Sequence, residues 1–190
     1  MIPAQASRRN RNQCGFTLLE VLISMVVITI GLVSLLAVFA TAMAATQDAQ
    51  EDMIAKQLAS EAMESIVTAR DSAQITWAQI NNVSNGGIFV DGVAPINLPG
   101  ADGLVGTADD AVAGPEILTL PGPDGIVGTA DDQQLSLANF SRTIAITPVI
   151  SGGATTPDLR TVTITISYIT PHFKATTKTY VLSDYISQYR

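Results

Sequence analysis

The 190-residue sequence predicts an α+β protein in which one long N-terminal α-helix, apolar at first and then amphipathic, packs on a C-terminal antiparallel β-sheet. Three observations predict it. Residues 21–47 contain no charged side chain, and the following stretch keeps a helical apolar period while regaining charge. Eight of the nine prolines and twelve of the fourteen glycines lie beyond residue 85, where runs rich in Thr, Ile, Val and Tyr alternate.

The helix begins near Phe16, and no proline and only one glycine, Gly31, interrupt residues 16–85. At about 1.5 Å per residue, residues 21–45 reach about 37 Å, enough to cross a bilayer with some tilt. A secretory signal peptide would have an apolar core of only about 7–15 residues and a small-residue cleavage site after it. A lipoprotein signal fails on order, because Cys14 precedes the apolar run. Arg8, Arg9 and Arg11 favour a cytoplasmic N-terminus with the remainder directed outward. Gly31 is expected to soften the helix, since glycine costs a helix about 1 kcal/mol relative to alanine.

"QDAQEDMIAKQLASEAMESIVTARD" continues the helix to about Arg70. Met53, Ile54, Leu58, Ala62, Met63, Ile66 and Val67 form its apolar face, and Asp48, Glu51, Lys56, Glu61 and Glu64 the rest. "ITWAQINN" follows as a short helical or turn segment, in which Trp77 is expected to plug the helix end against the sheet. The clearest strands are 140–150, 160–170 and 173–187. In the second of them Val162, Ile164, Ile166 and Tyr168 face one way and Thr161, Thr163, Thr165 and Ser167 the other. The connections "SGGATTPDL" and "TPH" are short enough for an antiparallel meander.

From residue 16 onward the chain carries 7 basic and 17 acidic residues, a net charge of −10. Such a surface argues against nucleic acid, whose phosphates require a basic patch. Cys14 is the only cysteine, so no intramolecular disulfide can form. His172, the only histidine, falls in an expected hairpin turn, and no serine sits in a G-x-S-x-G context. The reading is therefore of a protein that is not an enzyme.

"LPGADGLVGTADD" (98–110) recurs as "LPGPDGIVGTADD" (120–132). Two copies are too few for a solenoid. Asp102, Asp109 and Asp110 in the first, and Asp124, Asp131 and Asp132 in the second, surround glycines that allow tight turns. Calcium takes about 6–8 oxygens, so these six carboxylates are candidate calcium ligands, although the EF-hand order is missing. Asp-Gly and Pro-Gly equally favour β-turns, and Thr107-x-x-Asp110 or Thr129-x-x-Asp132 could cap a helical turn.

Gly15, Phe16, Thr17, Leu18, Leu19 and Glu20, followed by the apolar helix, resemble the processing and methylation site of type IV pilins and their relatives. The resemblance implies a pilin-like fold, cleavage between Gly15 and Phe16 by prepilin peptidase, and N-methylation of Phe16. It also implies an assembly role for Glu20, whose carboxylate would meet the N-terminal amine of a neighbouring subunit. A carboxylate at the mouth of an apolar span is costly unless paired, which suits that role. The family usually places a basic residue before the glycine, where this chain has Cys14.

On this reading residues 1–15 are a cleaved basic leader, 16–47 the transmembrane and assembly half of the helix, 48–85 its amphipathic half and connection, and 86–190 a β-rich globular domain. The continuation and the strand-rich tail are similar to minor pilins of the pilus-modification type. The implied protein is a structural subunit of a type IV pilus, held in the inner membrane with its C-terminal domain periplasmic, then carried to the pilus and cell surface. Its partners would be other pilin subunits, prepilin peptidase and the inner-membrane assembly machinery. Two alternatives are a type II secretion pseudopilin and a membrane-anchored calcium-binding domain acting in cell adhesion.

Overall fold

A computed structural model describes residues 15–170 and 176–189. Arg8, Arg9, Arg11, Cys14 and His172 lie outside the described residues. The chain divides after Ala45 into two compact units, both of which contribute to one helix, α1 (Leu18–Asp71).

In the first unit α1 is exposed along its apolar length and passes through Gly31 without a break. It is the one helix among the described residues long and apolar enough to cross a membrane. Its hydroxyl groups are satisfied within the helix, where Ser24, Thr29 and Ser34 donate to the carbonyls of Glu20, Met25 and Ile30 at 2.6, 2.7 and 2.8 Å. That internal pairing removes the cost of placing them in hydrocarbon.

In the second unit α1 buries Ile54, Ala55, Leu58, Ala59, Ala62, Met63, Ile66 and Ala69. The spacing of three and four residues confirms the amphipathic reading, with one correction. Met53, expected on the apolar face, is exposed, because the buried stripe turns through Ala55 and Ala59 instead. Ala55, Ala59, Ala62 and Ala69 join the larger side chains of this face in one buried core cluster with those of the sheet.

The sheet runs β1-β4-β5-β6, formed by β1 (Ala94–Pro95), β4 (Phe140–Ser151), β5 (Ala154–Thr170) and β6 (Thr176–Ser187). A separate hairpin consists of β2 (Ile117–Leu120) and β3 (Gln133–Ser136), and one short helical turn, α2, spans Asp110–Ala113. The three long strands pair antiparallel in a meander, as the sequence predicts. Val162, Ile164, Ile166 and Tyr168 are all buried, opposite Ile146, Ile144, Arg142 and Phe140 of β4. Phe140 and Tyr168 stack with ring centroids 5.3 Å apart.

The first connection is tighter than "SGGATTPDL" suggests. Ser151 pairs with Ala154, leaving a two-residue turn in which Gly152 and Gly153 have φ of 61° and 83°. Positive φ at both central positions matches the right-handed twist of the flanking strands, and glycine adopts it without strain. The residues expected to be loop extend β5 instead, with a register shift between Pro148 and Val149.

Trp77 lies past the helix end. Its Nε1 donates to the Pro157 carbonyl at 3.0 Å, and the Arg160 guanidinium lies 4.4 Å from the ring centroid. Arg160 also donates to the Trp77 and Ile80 carbonyls, so the segment after α1 is fastened to β5. Asn82 acts as a substitute strand. Its amide donates to the Ile144 carbonyl at 2.7 Å and accepts from the Ile146 N–H at 2.8 Å, pairing the β4 edge beyond β1.

Candidate assembly site and the duplicated acidic loops

Gly15 and Phe16 precede α1, and Phe16 is exposed. The helix start has a local cause that the sequence reading did not use. The Thr17 hydroxyl accepts the Glu20 N–H at 3.3 Å, and the Thr17 carbonyl accepts Glu20 and Val21 N–H at 3.1 and 3.2 Å. Thr17-x-x-Glu20 is the sequence signature of a capping box, and the Thr half of it is formed. Glu20 therefore sits in the first turn, where a carboxylate also complements the helix dipole. Its exposed side chain faces outward from the opening of the apolar span, available to a group on another molecule.

The six loop aspartates turn toward their own backbones. Asp102 Oδ1 accepts Leu104 N–H at 2.8 Å, Asp109 Oδ2 accepts Asp102 N–H at 3.2 Å, and Asp110 Oδ2 accepts Gly106 N–H at 2.6 Å. The second copy repeats the set. Asp124 accepts Ile126 N–H at 2.9 Å, Asp131 accepts Asp124 N–H at 3.4 Å, and Asp132 accepts Gly128 N–H at 2.6 Å. Thr107 and Thr129 donate to Asp109 and Asp131 at 2.6 and 2.7 Å rather than capping a helix, and these bonds hold both carboxyls below the usual aspartate range. Among the described residues no group of three or more His, Cys, Asp or Glu side chains is placed to hold a metal ion. What the geometry assigns to these carboxylates is turn formation.

The surroundings of the two copies differ. In the first, Thr107 and Asp110 are buried, and Asp110 Oδ2 lies 3.9 Å from the Arg142 guanidinium. Arg142 occupies an inward position of β4 between Phe140 and Ile144 and is itself buried. Burial lowers its pKa, an effect opposed by the charges of Glu61, Asp110 and Glu116. Burial also raises the Glu116 pKa, with the nearby Glu61 charge adding to the effect and Arg142 opposing it. The sequence reading missed Arg142, although its parity with Phe140, Ile144 and Ile146 placed it on the apolar face.

A long helix, apolar in one unit and packed on an antiparallel sheet in the other, with a capped glutamate at its start, is the pilin-like class of α+β architecture. Residues 10–36 match the family model for the prokaryotic N-terminal methylation motif. The N-terminal segment is thus that of a type IV pilin-like or pseudopilin-like precursor, which points to a structural protein. No curated protein and no solved structure matches the chain.

Proposed function

We propose that this chain is a minor pilin, a structural subunit inserted in the inner membrane by α1, processed between Gly15 and Phe16, methylated on Phe16 and assembled into a type IV pilus through its N-terminal helix. The single observation that carries the reading is the methylation motif over residues 10–36, set directly on an exposed apolar helix. Glu20 has the assembly role, pairing with the Phe16 amine of a neighbouring subunit. An apolar helix packs equally well in many axial registers, and one charged pair in a low-dielectric setting selects among them. The globular unit then lies on the periplasmic side until the subunit is extracted into the filament.

Intact mass and N-terminal sequencing of the membrane-expressed chain, with and without prepilin peptidase, test the processing. A mature chain beginning at N-methylated Phe16 is expected. An unprocessed chain would overturn the proposal and favour the anchored calcium-binding adhesive domain, which requires no cleavage. Recovery in sheared surface fractions is expected of a pilus subunit, whereas a type II secretion pseudopilin would remain with the cell.

A further inference from the structure

At four places the chain sets an Asn or Asp directly before a glycine: Asn85-Gly86, Asp91-Gly92, Asp102-Gly103 and Asp124-Gly125. Such pairs share a reactivity. Glycine has no Cβ to shield its nitrogen, so that nitrogen can close on the Cγ of the preceding side chain and form a five-membered imide. An amide is the better substrate, because an ionised carboxylate repels a nucleophile and has no leaving group comparable to ammonia.

The fold separates the four. Asp91 is tied through both oxygens, Oδ2 accepting Ser84 N–H at 2.8 Å and Oδ1 accepting the Ser84 hydroxyl at 2.7 Å. Asp102 and Asp124 are held by the N–H groups of Leu104 and Ile126. The Asn85 side chain has no hydrogen bond among the described residues, and both Asn85 and Gly86 are exposed. What restrains this pair is slight. Asn85 ends the short 3₁₀ turn Val83–Asn85, and Gly86 caps it with φ of 81°. The Gly86 N–H donates to the Val83 carbonyl at 3.0 Å, and that bond has to open before the nitrogen can turn on Asn85 Cγ. Exposed turns of this kind open at little cost. Asn81 and Asn82 are internal comparisons, since each precedes a residue with a Cβ and the Asn82 amide is already engaged with Ile144 and Ile146 of β4.

We propose that Asn85 is a self-modifying site, at which the folded chain converts a side-chain amide to an acid without an enzyme. The Gly86 nitrogen attacks Asn85 Cγ, the Cγ–Nδ2 bond breaks, and ammonia leaves with the proton that the Gly86 nitrogen gives up. Water then opens the imide at either carbonyl, giving aspartate or isoaspartate. Both products add a negative charge, and isoaspartate also inserts a methylene into the main chain. The insertion falls in a crowded turn. Asn85 N–H donates to the Asn82 carbonyl at 2.9 Å, its carbonyl accepts from Asn81 Nδ2 at 3.2 Å, and a Cβ on Gly87 would overlap the Asn81 backbone. Asn82 pairs with the β4 edge, so modification at Asn85 strains that pairing. The inference concerns the chain itself and stands apart from the subunit reading.

The full chain in detergent is incubated at neutral and at mildly alkaline pH, folded and in concentrated urea, then unfolded and digested briefly with chymotrypsin. Cleavage after Trp77 and Phe89 releases residues 78–89, which contain Asn81, Asn82 and Asn85 but none of the three Asp-Gly pairs. From the folded chain this peptide is expected to gain the mass of an amide-to-acid change, with fragment ions placing it at Asn85 and isoaspartate as the larger product. The rate should rise with pH, because the attacking nitrogen must lose its proton. Asn85→Gln, at an exposed position, should remove the gain over the same interval, since the longer side chain closes a ring less readily. Intact Asn85 in the folded chain would overturn the proposal, with the unfolded chain as the positive control. A gain shared equally with Asn81 or Asn82, or isoaspartate forming as fast at Asp102 or Asp124 as at Asn85, would overturn it as well.

Discussion

The duplicated loops make a controlled experiment available within one chain. Leu104→Ala and Ile126→Ala delete the same atoms, to within a methyl position, from two turns held by the same hydrogen bonds. Leu104 is 3% exposed, and a buried Leu→Ala change costs about 2–5 kcal/mol through lost transfer energy and the cavity left behind. Its side chain borders a 310 Å³ cleft, so water and neighbouring groups relax into part of the void, placing the cost near the lower end, about 2–3 kcal/mol. Ile126 is 61% exposed and should change stability by no more than about 0.5 kcal/mol. The assay is urea unfolding of the dilute full chain in detergent, followed by the fluorescence of Trp77, the only tryptophan. Because Trp77 is packed on Arg160 and Pro157, it reports on the globular unit. With a slope of about 2 kcal/mol/M, the two midpoints should separate by about 1 M. Equal midpoints would refute the claim that the first loop is core and the second is not.

Three further outcomes are expected. Glu20→Ala should leave the chain in the membrane but reduce its recovery in sheared filaments at least tenfold, and normal recovery would remove the pairing role. Asp109→Asn should lower the unfolding midpoint by the same amount with or without millimolar calcium, because the amide keeps only one of the two oxygens that accept from Thr107 and Asp102; a calcium-dependent difference, or calcium binding by calorimetry, would restore the metal reading. Glu116 has a folded-state pKa raised above its ordinary value of 4.5, so the folded state holds its proton more tightly than the unfolded state. Stability from this group is then greatest below that value and declines as pH rises through the folded pKa. Glu116→Gln should flatten that decline, and an unchanged pH profile would show that the burial of Glu116 has no energetic consequence.

Much of the architecture was legible because it rests on local chemistry. A charge-free run can only be a span or a core, and a three-and-four spacing followed by a two-residue alternation is a helix followed by strands. The boundaries were less legible where pairing decides them. Residues 154–159 read as part of a short connection, yet they begin β5, since Ala154, Thr155 and Thr156 pair with Ser151, Ile150 and Val149 of β4 and Leu159 pairs with Ser187 of β6. The Thr17 cap on the Glu20 N–H is equally local, three residues apart.

The sequence by itself determined the apolar helix, the methylation motif and the pairing of two matching acidic loops, because each depends on residues within a few positions of one another. Only the tertiary structure decided which copy of the loop is core and which is surface. The two copies are nearly identical in sequence and alike in backbone, so nothing local separates them. The difference is that residues 98–110 close against α1 and the Arg142 side of β4, whereas residues 121–132 connect the two strands of the β2–β3 hairpin, where Ile126 and Val127 remain exposed. Burial is a property of what lies opposite a side chain, and for these residues that is set by chain distant in sequence.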